Sequence, residues 1–199
     1  MLISGKRLSP EASRMAALEA ASALLVEAGP QAVTLKAVGG RIGRTHANLL
    51  HHFGSAAGLQ KALAGHLAAQ VCNSIADIVL ENRDNQPDPT RIVNMVFDGF
   101  NQQGAGALAT WMILSGNDDA LEPVIDAIHD LIDEIGDGHD DKQMHEDTLS
   151  LVLLAMGDAM LGEGLTKALG LPTNAARGIA VKMMMQSPRL LGRMAGGQP

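Results

Sequence analysis

Apolar residues recur along this chain at intervals of three and four, and no long β-branched run alternates with polar positions, so the pattern predicts helices throughout. The first helix opens at Ser9-Pro10-Glu11: a capping hydroxyl, a proline suited to the first helical position, and an acid at the positive end of the dipole. Met15, Leu18, Ser22 and Leu25, with Ala21 and Leu24 beside them, form its stripe, and Gly29-Pro30 stops it. A second, short helix starts at Thr34, with Val33 and Val38 at the two hydrophobic-staple positions. Gly39-Gly40 lowers its own propensity, so packing must hold it. Gly43 allows a sharp turn, Thr45 can cap a third helix through about Phe53, and Gly54-Ser55 restarts the chain into a fourth over roughly 55–80. The polar stretch Asn82 to Pro89 reads as a loop and a boundary. Beyond it, helices are expected near 90–103, 106–115, 121–135, 145–169 and 173–195. A loop is expected at 136–141, a break at Leu171-Pro172, a kink or end at Pro188, and a frayed tail from Gly196. The longest apolar stretch, Leu149 to Leu161, is broken by Asp158 and is too short to span a bilayer, so no membrane partner is expected.

Composition sharpens this picture. In 199 residues, 46% are hydrophobic but only 2% aromatic, with no Tyr and one Trp, so Ala, Leu and Met, all strong helix formers, must fill the interior. Cys72 is the single cysteine, which excludes an internal disulfide and a cysteine zinc cage and fits a reducing, cytoplasmic setting. The start, Met1 to Arg7, lacks the apolar segment of a secretion signal. The net charge of −7 argues against nucleic acid until its distribution is considered. Residues 1–66 hold seven basic side chains against three acidic ones and four of the histidines, whereas the remainder holds eight basic against nineteen acidic. Only the N-terminal part is suited to a polyanion.

The chemistry concentrates in residues 34–53. A short helix, a glycine turn and a second short helix make a helix-turn-helix. Leu35, Val38, Ile42 and Leu49 are placed to pack the pair against the first helix, and Gly39 removes a side chain where the two cross. The outer face of the third helix is left for the major groove, and Arg44, Thr45, His46, Asn48, His51 and His52 lie on or near it. Asparagine can bond adenine through two hydrogen bonds, arginine suits guanine or phosphate, and hydroxyls and backbone N–H groups at a helix start suit phosphate.

The segment resembles the TetR family of bacterial repressors. The resemblance is carried by Thr34, Val38, Gly39, Ile42, Gly43, Arg44, Thr45, Ala47, Leu49, Leu50, His52, Phe53 and Ser55, with the upstream run Ala20 to Gly29 matching the family's first helix. It covers about residues 14–63. It implies base readers at Lys36, His46, Ala47 and Asn48, and phosphate contacts at Thr34, Thr45 and His52 with His51 beside them. Three positions depart from the family pattern: Arg44 replaces a valine, Leu50 a tyrosine that contacts phosphate, and Ala56 a lysine at the next helix start. Two backbone contacts are thereby lost, which should weaken DNA binding and flatten its salt dependence unless Arg44 compensates.

Within this resemblance the chain is an all-α regulator without cofactor. Residues 1–54 would form the helix-turn-helix DNA-binding domain, 55–80 a connecting helix, and 81–199 a helical ligand-binding and dimerisation domain. Helices near 145–169 and 173–195 would pair with those of a second copy through Leu149, Val152, Leu153, Met156, Met160 and Leu165 and through Ile179, Met183, Met184, Leu190 and Leu191, with small residues at Ala155, Gly157, Ala159, Gly162 and Gly164 permitting close approach. The resemblance also implies a cavity for a small apolar effector, with Phe97, Phe100, Trp111, Met112, Met156 and Met160 as candidate lining. Asp158 would then be either exposed or a polar handle inside that cavity. His139, His145 and the acids at Asp137, Asp140 and Asp141 match neither a calcium loop nor a zinc site, so no metal is expected. No nucleophile elbow, metalloprotease pair, phosphate loop or dinucleotide fingerprint is present, which argues against an enzyme. Two readings stay open: a repressor released from a palindromic duplex operator by its ligand, or a TetR-like ligand-binding or interaction module with weak or no operator binding of its own.

Overall fold

A computed structural model of the chain describes residues 9–81, 88–117, 119, 121–135 and 142–186. The described residues form helices and one 3-10 turn, with no strand among them. Helix α1 spans Pro10–Ala28, α2 Leu35–Arg41, α3 His46–Phe53, α4 Ala56–Glu81 and α5 Pro89–Asn101; α6 spans Ala105–Leu114, α7 Glu122–Ile135, α8 Lys142–Leu169 and α9 Ala175–Met185.

The local chemistry sets the boundaries of the first four. The Ser9 hydroxyl accepts from the Ala12 N–H at 3.1 Å, Thr34 from Ala37 at 3.1 Å, Thr45 from Asn48 at 3.2 Å and Ser55 from Gly58 at 2.9 Å. Each satisfies an N–H that the helix leaves without a partner. Gly43 and Gly54 carry positive φ, 65° and 73°, in the turns on either side of α3. A 3-10 turn at Pro30–Ala32 lies between α1 and α2 and was not foreseen. Asp88, expected to be loop, caps α5 by accepting from the Thr90 N–H at 2.9 Å.

Several expectations are corrected. In α1 the buried stripe runs through Ala17, Leu18, Ala21 and Leu25, while Met15 faces solvent. Helix α8 begins at Lys142, three residues early, and continues unbroken through Asp158 for 28 residues. The apolar stretch that looked too short to cross a bilayer is thus part of a helix that is long and apolar enough by length and composition, as is Ala56–Leu80 of α4. Asp158 is no break and is not among the residues lining the cavity between α4 and α9; it accepts from the Asn101 amide of α5 at 2.9 Å. The expectations for Pro188, Leu190, Leu191, the tail, residues 82–87 and the loop at 136–141 with its acids and His139 lie outside the described residues.

Two apolar cores organise the chain. The first gathers Leu18 and Leu25 of α1, Val33, Leu35 and Val38, Leu49 and Phe53 of α3, and Leu59, Leu63 and Leu67 of α4; Leu108 and Met112 of α6 complete it. The second joins Ile75 of α4, Val93, Val96 and Phe97 of α5, Leu151 and Ala155 of α8 and Ala180 of α9. Helix α4 runs from one core to the other. It also packs closely along α7, where Gly65 lies so near Pro123 that a Cβ there would come within 2.7 Å of the proline ring.

Candidate nucleic-acid interface and interior cavity

Helix α3 has eight residues, too few to be stable alone, and two buried side chains, Leu49 and Phe53, hold it against the first core. Leu49 rests near Gly39 of α2: a Cβ at Gly39 would lie 3.5 Å from a Leu49 methyl and 2.8 Å from the Arg44 carbonyl oxygen. The bare glycine therefore lets the turn close, and the Arg44 N–H donates to the Gly39 carbonyl at 2.8 Å. Behind α3, the Arg14 guanidinium stacks 4.9 Å from the centre of the Phe53 ring, fixing α1 against the end of the helix.

This anchoring turns the remaining side chains outward. His46, Ala47, Leu50 and His51 are exposed on α3; Thr34, Lys36 and Thr45 are exposed on the adjoining elements; Arg44, Asn48 and His52 are half-buried. The structure thus brings all nine residues expected to contact DNA onto α3 and the elements around it. Thr34 and Thr45 are engaged as helix caps. The rings of His51 and His52 lie 5.7 Å apart, and His52 leans toward Phe53. The Oδ1 of Asn48 is shielded from solvent yet has no hydrogen-bond partner among the described residues. Leu50, where the family pattern has tyrosine, is 43% exposed and offers no polar atom.

Among the described residues, Arg41 and Lys61 are committed to ion pairs. Arg41 makes a two-pronged pair with Glu27 at 2.6 and 2.8 Å. That hydrogen bond, reinforced by the arginine's charge, holds the Glu27 carboxyl below the usual carboxylate range. A carboxylate so shifted contributes stability above its unfolded value and loses it as pH falls through its folded value. Because both side chains are solvent-exposed, Glu27→Gln is expected to leave the thermal midpoint at neutral pH nearly unchanged, with the remaining difference lost only as pH falls below the ordinary carboxylate range, as thermal unfolding across pH would show. Lys61 of α4 is held by Asp119 and by Glu122, the latter at 2.8 Å, which raises its ammonium above the ordinary lysine value.

A short helix, a glycine turn and an outward-facing third helix, held on the first core, define a helix-turn-helix DNA-binding protein. Residues 17–63 match the model of the bacterial regulatory proteins of the tetR family, which supports a TetR-family DNA-binding transcriptional regulator. No curated protein matches the chain.

Below the first core, α4 to α9 enclose a cavity of about 830 Å³, within the range of small-molecule sites. Its wall is mainly aliphatic: Val71, Ile75 and Val79 of α4, Val96 of α5, Val124, Ile128 and Leu131 of α7 and Met144 of α8, with Cys72, Glu134, Asp147 and Thr148 supplying polar atoms. Of the six residues singled out from the sequence, Phe100 and Met156 line it. Phe97 is fully buried in the second core and Met112 in the first, while Trp111 and Met160 lie on the outer surface at 41% and 52% exposure. The α7 side of the wall was missed altogether. Burial pushes the Cys72 thiol up to about 11, with Asp130 adding to the effect. On the order of one thiol in a thousand is then ionised at pH 8, so Ellman's reagent should modify Cys72 far more slowly in the folded protein than in urea.

Proposed function

We propose that the chain is a homodimeric repressor that holds a palindromic duplex operator and releases it when a small apolar molecule enters the α4–α9 cavity. The observation that carries this reading is the course of α4: Leu59 and Leu63 pack under the reading helix, while Val71, Ile75 and Val79 of the same helix wall the cavity. A ligand that displaces the lower half of α4 must therefore disturb the seat of α3. Leu108 and Met112 give α6 a second grip on the same core, and the Lys61 bridges join α4 to the start of α7.

In this reading residues 1–54 meet DNA, 55–80 connect, and 81–199 bind ligand and partner. Dimerisation is supported by the outer faces of α8 and α9, where Leu153, Met160, Leu165, Leu169 and Ile179 are each more than half exposed. Apolar side chains exposed together along one helix face suit a partner surface, and a two-fold axis would set two reading helices roughly 34–36 Å apart. Leu149, Val152, Met156 and Met184 leave that interface, since they line the cavity. Ligand and DNA then oppose one another reciprocally, with a coupling on the order of 1–3 kcal/mol. A regulator of this kind works in the cytoplasm.

On DNA, the unpartnered Asn48 amide is placed to swing outward onto an adenine edge, with Lys36, His46 and Ala47 beside it and Thr34, Arg44, Thr45, His51 and His52 toward phosphates. Asn48→Ala is expected to relax preference at one base by about 1–3 kcal/mol without loss of folding stability, measured by competition between operator variants. The test of the whole reading is a gel shift on DNA upstream of the chain's own gene at several salt concentrations, paired with sedimentation. Sequence-selective, salt-sensitive binding by a dimer supports the repressor. The alternative, an interaction module, draws on the exposed Leu50 and on Ala56, and would show no binding below micromolar protein.

A further inference from the structure

We propose that the positive charge of the reading helix comes from its histidines, so that DNA binding takes up protons on His46, His51 and His52. This inference rests on α3 being the helix that meets DNA. Helix α3, His-Ala-Asn-Leu-Leu-His-His-Phe, contains no lysine or arginine; its basic side chains are three imidazoles. The permanent cations nearby are largely spent. Arg41 of α2 is bound by both oxygens of Glu27, Lys61 of α4 by Asp119 and Glu122, and Arg14 of α1 stacks on Phe53. Among the described residues, Lys36 of α2 and Arg44 of the turn are left to face phosphate, with the Phe53-stacked Arg14 behind them. These fixed charges are few for a surface that must displace counterions from a duplex.

The histidines are placed to supply the rest. His46 and His51 are exposed at opposite ends of α3, and His52 is half-buried beside them. His51 and His52 occupy the last turn, where the carbonyl end of a helix attracts cations. Among the described residues no carboxylate is paired with any of the three rings. Of the three acids of α1, Glu27 pairs with Arg41, Glu19 lines the groove with His66 of α4, which no α3 residue lines, and Glu11 is exposed in the first turn. Histidine is the side chain that changes charge between pH 5 and 8. Phosphate attracts a positively charged ring, so affinity is expected to rise toward the acid end of that range.

The measurement is fluorescence anisotropy of the full chain with a labelled mixed-sequence duplex, at constant ionic strength, from about pH 6 to about pH 8. Affinity is expected to fall at least about tenfold across that range, and the salt slope to be steeper at the acid end by about 0.9 for each imidazole that meets a phosphate. His46→Gln with His51→Gln should give weak binding at every pH and a flattened profile, with circular dichroism confirming the fold. His46→Arg with His51→Arg should give tight binding that no longer follows pH, a rescue that loss of a purely structural contact would not produce. Equal wild-type affinity at both ends of the range, or a pH dependence that survives substitution of all three histidines, overturns the proposal. No binding at any pH would instead remove the DNA-binding reading beneath it.

Discussion

Leu49→Ala is expected to abolish operator binding and to destabilise the chain by about 2–5 kcal/mol, the range for emptying a fully enclosed leucine site. Leu49 has no exposed surface and sits where α1, α2 and α3 meet. Helix α3 is eight residues long and keeps its place through two buried side chains, so the substitution removes half of its anchorage. The tight passage between Gly39 and the Arg44 carbonyl prevents the turn from sagging inward to refill the space. Thermal unfolding and anisotropy on the same preparation would check both effects. Leu50→Ala, one residue along but on the open side, is the control: the midpoint should hardly change. A Leu49→Ala protein that unfolds normally and still binds DNA would mean that α3 is held by something else.

The second large effect is expected at Phe97. The side chain is fully buried in the second core, and Phe97→Ala should cost about 3–5 kcal/mol. In a chain of this length each kcal/mol shifts the midpoint by roughly 2–4 °C, so a fall of about 6–20 °C is predicted in calorimetry. More than volume is lost. The Arg177 guanidinium of α9 lies 5.3 Å from the Phe97 ring centre while donating to Asp98 at 2.7 Å and to the Asn94 side chain at 3.2 Å, so this ring is part of the seam between α5 and α9. Phe100, half-buried one turn on and facing the cavity, should be the cheaper aromatic to remove. If Phe100→Ala proves as damaging as Phe97→Ala, the division between core and cavity is misplaced.

Those two phenylalanines illustrate what the sequence makes legible. Helix starts can be read from single side chains: Ser9, Thr34 and Thr45 each cap where the hydroxyl predicts, because capping is a local bond across three residues. The position of the reading helix follows equally well, since its amphipathic spacing and flanking glycines leave one way to bury Leu49 and Phe53. Cavity walls are different. An apolar side chain facing a void and one facing another side chain obey the same spacing, so Phe97 and Phe100 cannot be separated before packing is known. Helix α6 is apolar all round, which is why neighbouring Trp111 and Met112 look equivalent in the chain yet end on the surface and in the core. The isoleucines and leucines of α7 line the cavity through their position on the helix, which side-chain size and type along the chain do not reveal.

Leu108 and Met112 carry one further consequence. Because α6 supplies part of the floor beneath the reading helix, the boundary suggested by sequence does not coincide with a seam in the packing. A chimera that grafts residues 1–54 onto another regulator's body would leave that floor to foreign side chains, and its specificity would transfer only if the donor's α6 and the upper turns of α4 travelled with the graft.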